Sequence, residues 1–338
     1  MSKRTWMLGI MLGLAGWAFA VQAGPPKKLK VALITNTTVE EPWNTAAIQA
    51  IERVIALKPH GLDMELKVQE NVAMTDGERV LRTYAQMGEY GIIWLQGQYP
   101  DAVEALHEDF PDICWVEAGS SYKSLGGNVY WMQMYVHEPA YLLGMLAGMI
   151  TENNTIGAVA AYPFPNVNLP INGYLQGALT ANPDVKLKMT YIDSWFDPAR
   201  AKESALAQIS SGADVIYAER FGPFEACMDK KVYAFGHYVD QSPLAPDVVL
   251  GSTLALWDPA VQYAVNAWWE HEAEGKAYDG PMTEVVFSMA EGGSGVALSE
   301  ALTSKLPDGV MARFEEARQS IMDGTLKVPF SEKQVLSD

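Results

Sequence analysis

The stretch VALITNTTVEEPWNTAAIQAIERV, residues 31–54, opens as a buried strand and closes as a helix, with Trp43 and Asn44 at the join. A run of apolar residues bounded by turn formers, followed by apolar positions at helical spacing, is the signature of a parallel strand feeding a crossover helix. The same alternation continues downstream. KVALIT (30–35), LKVQENV (66–72), YGIIWLQG (90–97), DICWVEAG (112–119) and VYWMQM (129–134) read as strands, with helices beginning near Trp43, Asp76 and Pro100. It then restarts with IGAVAAY (156–162), LKMTYID (187–193), ADVIYAE (213–219), KVYAFGH (231–237) and VVLGSTL (248–254), separated by helices over 171–181, 198–211 and 224–230. Two successive halves of this kind predict an α/β fold of two doubly wound, Rossmann-like lobes joined by a hinge.

The length of 338 residues, with 49% apolar and 19% charged side chains, is ample for two cores. The formal charge is −17, and the only charges in the first 23 residues are those of Lys3 and Arg4, so the remainder is more acidic still. Nucleic acid is excluded as a partner, because phosphate neutralisation needs clustered Lys and Arg. The segment MSKRTWMLGIMLGLAGWAFAVQAG has a basic start, an apolar run and small residues at Ala18, Ala20 and Ala23, which reads as an export signal over 1–23. Cleavage before Gly24, with no cysteine there to lipidate, implies a mature periplasmic protein that is not a lipoprotein. Cys114 and Cys227 lie in unrelated apolar contexts and are read as buried thiols.

The chain is expected to divide into a first lobe of residues 27–134 with 255–279 and a second of 135–254 with 280–338. It would cross between them after Met134, near Leu254 and around Tyr278 to Val285. Ligands of doubly wound folds sit beyond the carboxyl ends of the strands, which places Trp43, Tyr99, Trp195 and Phe221 at one level. His237 ends a strand facing the same cleft, and the roles of ligand partner and core histidine both stand open for it. Arg220 has three readings: a bond to a ligand carbonyl, closure against the other lobe, or a surface ion pair. No GxSxG, Walker or HExxH motif is present, and the five histidines show no metal spacing, so no catalytic residue, metal or cofactor is assigned.

Four stretches resemble the basic membrane protein family of ABC-transporter substrate-binding proteins, its purine-nucleoside-binding group. They are the PWN of residues 42–44, EPAYLLGMLAG (138–148), NPDVKLKMTYIDSWFDPARAKESALAQISSGADVI (182–216), and the pair VDQSPLAPDVVLGS and AEGGSGVALS with the IMDGTLKVPF tail. The resemblance runs from about Lys28 to Phe330 and is nearest to the branch with Trp at SWFDP, which is associated with free purine bases. It implies a type I periplasmic binding protein that captures a purine in the inter-lobe cleft and delivers it to a membrane permease. A sensor subunit presenting ligand to a receptor shares the same pocket, and a periplasmic purine-processing enzyme is the reading from another class.

The resemblance gives Trp43 a stacking role and Asn44 a donor and acceptor for the ligand edge, against the alternative that Trp43 anchors the first helix. Trp195 would supply the second face. Departures bear on ligand size. Where nucleoside binders are expected to hold ribose with an acid in GVDSDQ, this chain reads GHYVDQ with Tyr238; a later lysine is Ala255, and the acid near the end of the first strand is Asn36. A free base then fits better than a nucleoside, with Asp240 left to shape a turn.

Overall fold

The computed structural model describes residues 25–119 and 122–338. The export signal expected over 1–23 lies outside them. The first lobe is a six-stranded sheet in the order β2-β1-β3-β4-β5-β11, built from β1 (Lys28–Ile34), β2 (Asp63–Gln69), β3 (Ile92–Leu95), β4 (Cys114–Ala118), β5 (Val129–Met134) and β11 (Val285–Phe287). Every neighbouring pair in it is parallel. Parallel strands are buried on both faces, which is why they read as continuous apolar runs. Helices α1 (Pro42–Leu57) and α8 (Asp258–Glu274) cover one face, over Leu33, Trp94 and Val116. Helices α2 (Gly77–Gln86) and α3 (Pro100–Leu106) cover the other, over Ile34, Leu95 and Trp115.

The second lobe repeats the order as β7-β6-β8-β9-β10-β12, from β6 (Thr155–Ala160), β7 (Lys186–Tyr191), β8 (Val215–Ala218), β9 (Tyr233–Gly236), β10 (Val249–Ala255) and β12 (Ser294–Leu298). Only β12 runs antiparallel to its neighbour. Its faces carry α4 (His137–Ile150), α5 (Pro165–Ala181) and α10 (Val310–Met322) on one side, and α6 (Pro198–Ser210) and α7 (Phe224–Lys230) on the other. The short α9 (Glu300–Thr303) precedes α10. Helices α4 and α5 pack backbone to backbone because glycine lets them: a Cβ on Gly144 would strike the carbonyl of Tyr174, and one on Gly177 that of Tyr141. Helix α5 begins at Pro165 and not at Ile171, since Pro165 opens it as a first helical residue and Pro170 is absorbed inside it.

The chain passes between lobes after β5 and after β10, and the third passage differs from expectation. Strand β11 adds to the edge of the first sheet in register with Met132–Met134, so the last crossing lies over 288–293 and not over 278–285. Three residues are too short a run to show a period, which is why the strand is invisible in sequence. The passages are tied together: Tyr135 N donates to Phe287 O (2.9 Å), Leu256 N to Gly293 O (2.9 Å) and Ser294 Oγ to Tyr135 O (3.0 Å). Among the described residues no helix is long and apolar enough to cross a membrane.

Candidate functional site

The carboxyl ends of both sheets face each other across a cleft, and its first-lobe wall is built by the turn into α1. Glu41 caps that helix, its Oε2 accepting from Trp43 N (3.0 Å) and Asn44 N (3.3 Å), with Pro42 as the first helical residue. The cap sends Trp43 out of the first turn, half-buried, with its ring 4.8 Å from Tyr238 and 4.9 Å, edge-on, from Trp257. Gly119, at φ 109°, passes beside the indole; a side chain there would be strained and would press on Trp43 Cζ2 at 3.4 Å. Gln96, just past β3, donates to Trp43 O (3.1 Å) and accepts from Trp94 Nε1 (2.7 Å), fixing the turn from behind.

The second-lobe wall carries the charge. Arg220, two residues past β8, is 4% exposed, and its guanidinium is held by Glu219 through Nε (2.9 Å) and Nη2 (2.6 Å). Its Nη1 reaches across the cleft to Glu41 Oε1 (3.0 Å), a buried ion pair between the lobes. Burial works against the charge on Arg220, but the two carboxylates outweigh it and hold its pKa above the usual guanidinium value. Burial pushes Glu41 upward while Arg220 opposes the shift. Tyr238, on the turn after β9, adopts φ 67°, a left-handed conformation costing about 1–3 kcal/mol for a residue with a side chain. That turn carries its ring out of the second lobe and into the apolar cluster of the first, against Trp43. Trp195 follows β7 and packs with Tyr162 (5.1 Å), with the Arg220 Cζ 5.8 Å from its ring.

These side chains line one cavity, with Asn36, Thr37, Glu41, Trp43, Gln96, Gly97, Gln98, Ala118 and Gly119 from the first lobe and Asn166, Trp195, Arg220 and Tyr238 from the second. Of the residues singled out in the sequence, Asn36, Trp43, Trp195, Arg220 and Tyr238 meet there. The structure does not bring the other four to it.

Asn44 is spent inside its own turn: its Oδ1 accepts from Thr35 Oγ1 (2.8 Å) and its Nδ2 donates to Thr37 Oγ1 (2.8 Å) and Thr38 O (2.8 Å). No polar atom is left over for a ligand edge. Tyr99 turns inward, donating to Val72 O (2.8 Å) from the face beneath α2 and α3. His237 is a core histidine, with Nδ1 2.6 Å from Tyr217 Oη and 2.7 Å from Thr253 Oγ1; burial and then Arg220 push its pKa well below the usual imidazole range. Phe221 stacks on Phe196 (6.0 Å) outside the cavity lining. Asp240 closes a turn by accepting from Ser242 N (3.0 Å) and Oγ (2.7 Å).

Sequence reasoning missed Glu41, Gln96, Gln98 and Asn166. The first was legible as a helix cap, being an acid before Pro42. Gln96 and Gln98 sit at the strand end where an aromatic ring was preferred to an amide. Asn166 was hidden by placing the start of α5 too late.

The family model for PnrA-like ABC transporter substrate-binding proteins, Bmp, matches residues 28–301. The chain belongs to the Bmp family. A putative ABC transporter glucose-binding protein of Haloferax volcanii is 34% identical over 69% of the chain, which aligns with 60% of that protein's length. A purine-binding protein of Brucella abortus is 26% identical over 95% of the chain and 89% of its own length. A solved ABC transporter solute-binding protein of Aeropyrum pernix superimposes with a TM-score of 0.70 at 23% identity, covering 89% of this chain and 94% of that one. This Bmp protein therefore has the two-lobed type I periplasmic binding protein fold, which it shares with solved ABC transporter solute-binding proteins.

Proposed function

We propose that this chain is the exported binding component of an importer for a free purine base or a closely related flat heterocycle. The observation that supports it best is the joint lining of the cavity by rings from both lobes, Trp43, Trp195 and Tyr238, with amides from Asn36, Gln98 and Asn166 around them. Rings supply faces and amides supply donor and acceptor edges, the combination a heterocycle needs. Stacking contributes about 1–3 kcal/mol per base, so two faces and a few hydrogen bonds suffice for a micromolar Kd, about −8 kcal/mol. The name of the Brucella relative agrees with this reading.

Tyr238 supports the base over the nucleoside. Its ring fills the space beside Trp43, and Ala255, buried at 3% exposure, offers no donor to a sugar. A ligand touching both walls favours the closed arrangement of the lobes, and a permease that selects the closed form would then receive loaded protein. Export by a signal cleaved before Gly24, without lipidation, belongs to the same proposal. Mass spectrometry of small molecules released by denaturing protein purified from its native host tests it. A purine base is expected; a hexose, the ligand in the Haloferax protein's name, or a nucleoside would overturn the reading.

A further inference from the structure

We infer that the cleft accepts uncharged or cationic heterocycles and rejects anionic ones, with Glu41 setting that rule. The inference deepens the purine reading and takes its probes from it. Arg220 is the one cation lining the cavity among the described residues, and four of its five N–H donors are assigned. Nε goes to Glu219 O (3.0 Å) and Oε2 (2.9 Å), Nη2 to Glu219 Oε1 (2.6 Å), and Nη1 to Glu41 Oε1 (3.0 Å) and Trp195 O (3.4 Å).

Both acids are set up as carboxylates. Glu219 Oε2 also accepts from Ala161 N (3.1 Å), and Glu41 Oε2 takes the two amides at the start of α1. Burial pushes the Glu41 carboxyl upward, but each of its hydrogen-bond partners, Trp43 N, Asn44 N and Arg220 Nη1, is a donor, so a proton on it would have no acceptor. One guanidinium and two carboxylates leave the cluster with a net charge of −1. His237 cannot offset this charge, since burial and Arg220 keep it neutral. The remaining polar lining of Asn36, Gln96, Gln98 and Asn166 is uncharged, and Asn166 Oδ1 is buried with no partner among the described residues, an acceptor suited to a ligand N–H.

A ligand anion entering this site would meet a surplus carboxylate and a guanidinium already paired with two acids. Like charges in a partly desolvated cleft repel strongly, because little water screens them. Urate, nucleotides and ring carboxylates are therefore excluded, while neutral oxopurines and aminopurines are admitted.

Two neutral and anionic pairs test this by titration calorimetry at neutral pH: hypoxanthine against urate, and nicotinamide against nicotinate. The neutral member is expected to bind at least tenfold tighter. Glu41→Gln, which keeps an acceptor oxygen for the α1 amides, should shrink that gap by at least threefold, with thermal melts confirming a folded variant. An anion bound as tightly as its neutral partner, an unchanged ratio in folded Glu41→Gln, or no binding by either neutral compound would overturn the inference. The wild-type ratios decide alone if the variant does not fold. Preference for nicotinamide over nicotinate with no binding of hypoxanthine would overturn the purine reading and leave the charge rule standing.

Discussion

Glu117 at the end of β4 and Glu219 just past β8 are both buried glutamates at the carboxyl ends of their sheets, at 0% and 2% exposure. Their surroundings differ. Neither oxygen of Glu117 has a hydrogen-bond partner among the described residues, and burial pushes its carboxyl up to about 8. Glu219 is gripped by Arg220 and by Ala161 N. The first lobe thus keeps Glu117 protonated at neutral pH and brings Glu41 as its one charged group to the cavity lining among the described residues, whereas the second lobe carries the ion pair of Glu219 and Arg220. The difference teaches where closure gains its specificity. Among the described residues Arg220 meets a first-lobe carboxylate only at Glu41, the residue that also aims Trp43, so the charge contact between lobes and the ring orientation are coupled through one side chain.

The largest expected effect comes from breaking the charged side. Arg220→Ala strands Glu219 and Glu41 as buried carboxylates and should destabilise the protein by about 3–5 kcal/mol in denaturant melts. In the first lobe, the folded pKa of Glu117 is raised from 4.5 to about 8 by burial, so its contribution to stability is full below about pH 4.5 and is lost as pH rises through about 8. Wild-type stability should therefore fall by about 1.4 kcal/mol per pH unit across that window through this group, and Glu117→Gln should lack that slope. Trp43→Ala, which removes a ring but no charge, should weaken purine binding at least tenfold in calorimetry, about 1.4 kcal/mol, and leave the fold intact. Unchanged affinity would make Trp43 an anchor of α1 alone. Phe221→Ala, outside the cavity, should alter affinity by less than about threefold, under about 0.7 kcal/mol.

Much of the fold was legible because parallel strands advertise themselves. The ten strands read from apolar runs correspond to β1 through β10, and Asp197 with Pro198 marked the start of α6, where Asp197 Oδ1 accepts from Arg200 N (3.0 Å). Strand β11 escaped because it has three residues, and β12 because it follows the hinge glycines Gly292 and Gly293 and contains Gly295, which interrupt any period. In the site, Trp43 and Trp195 were legible from their place after strands, and Tyr238 from its departure from a family pattern. Asn44 was not, since an amide that bonds its own turn and one that bonds a ligand look identical in sequence. Nor was the pairing of Glu41 with Arg220, separated by 179 positions, because only the facing of two sheets brings them together.

Paired calorimetric titrations with adenine and adenosine, and with guanine and guanosine, test the assignment most directly. Tyr238 fills the space beside Trp43, and no lysine stands at Ala255, so a ribose would meet a ring and lose charge-assisted bonds of about 1.5–3 kcal/mol each. Each free base is expected to bind more than tenfold tighter than its nucleoside. A nucleoside that binds as tightly as its base would mean that Tyr238 yields its place to sugar, and would contradict the assignment to purine bases.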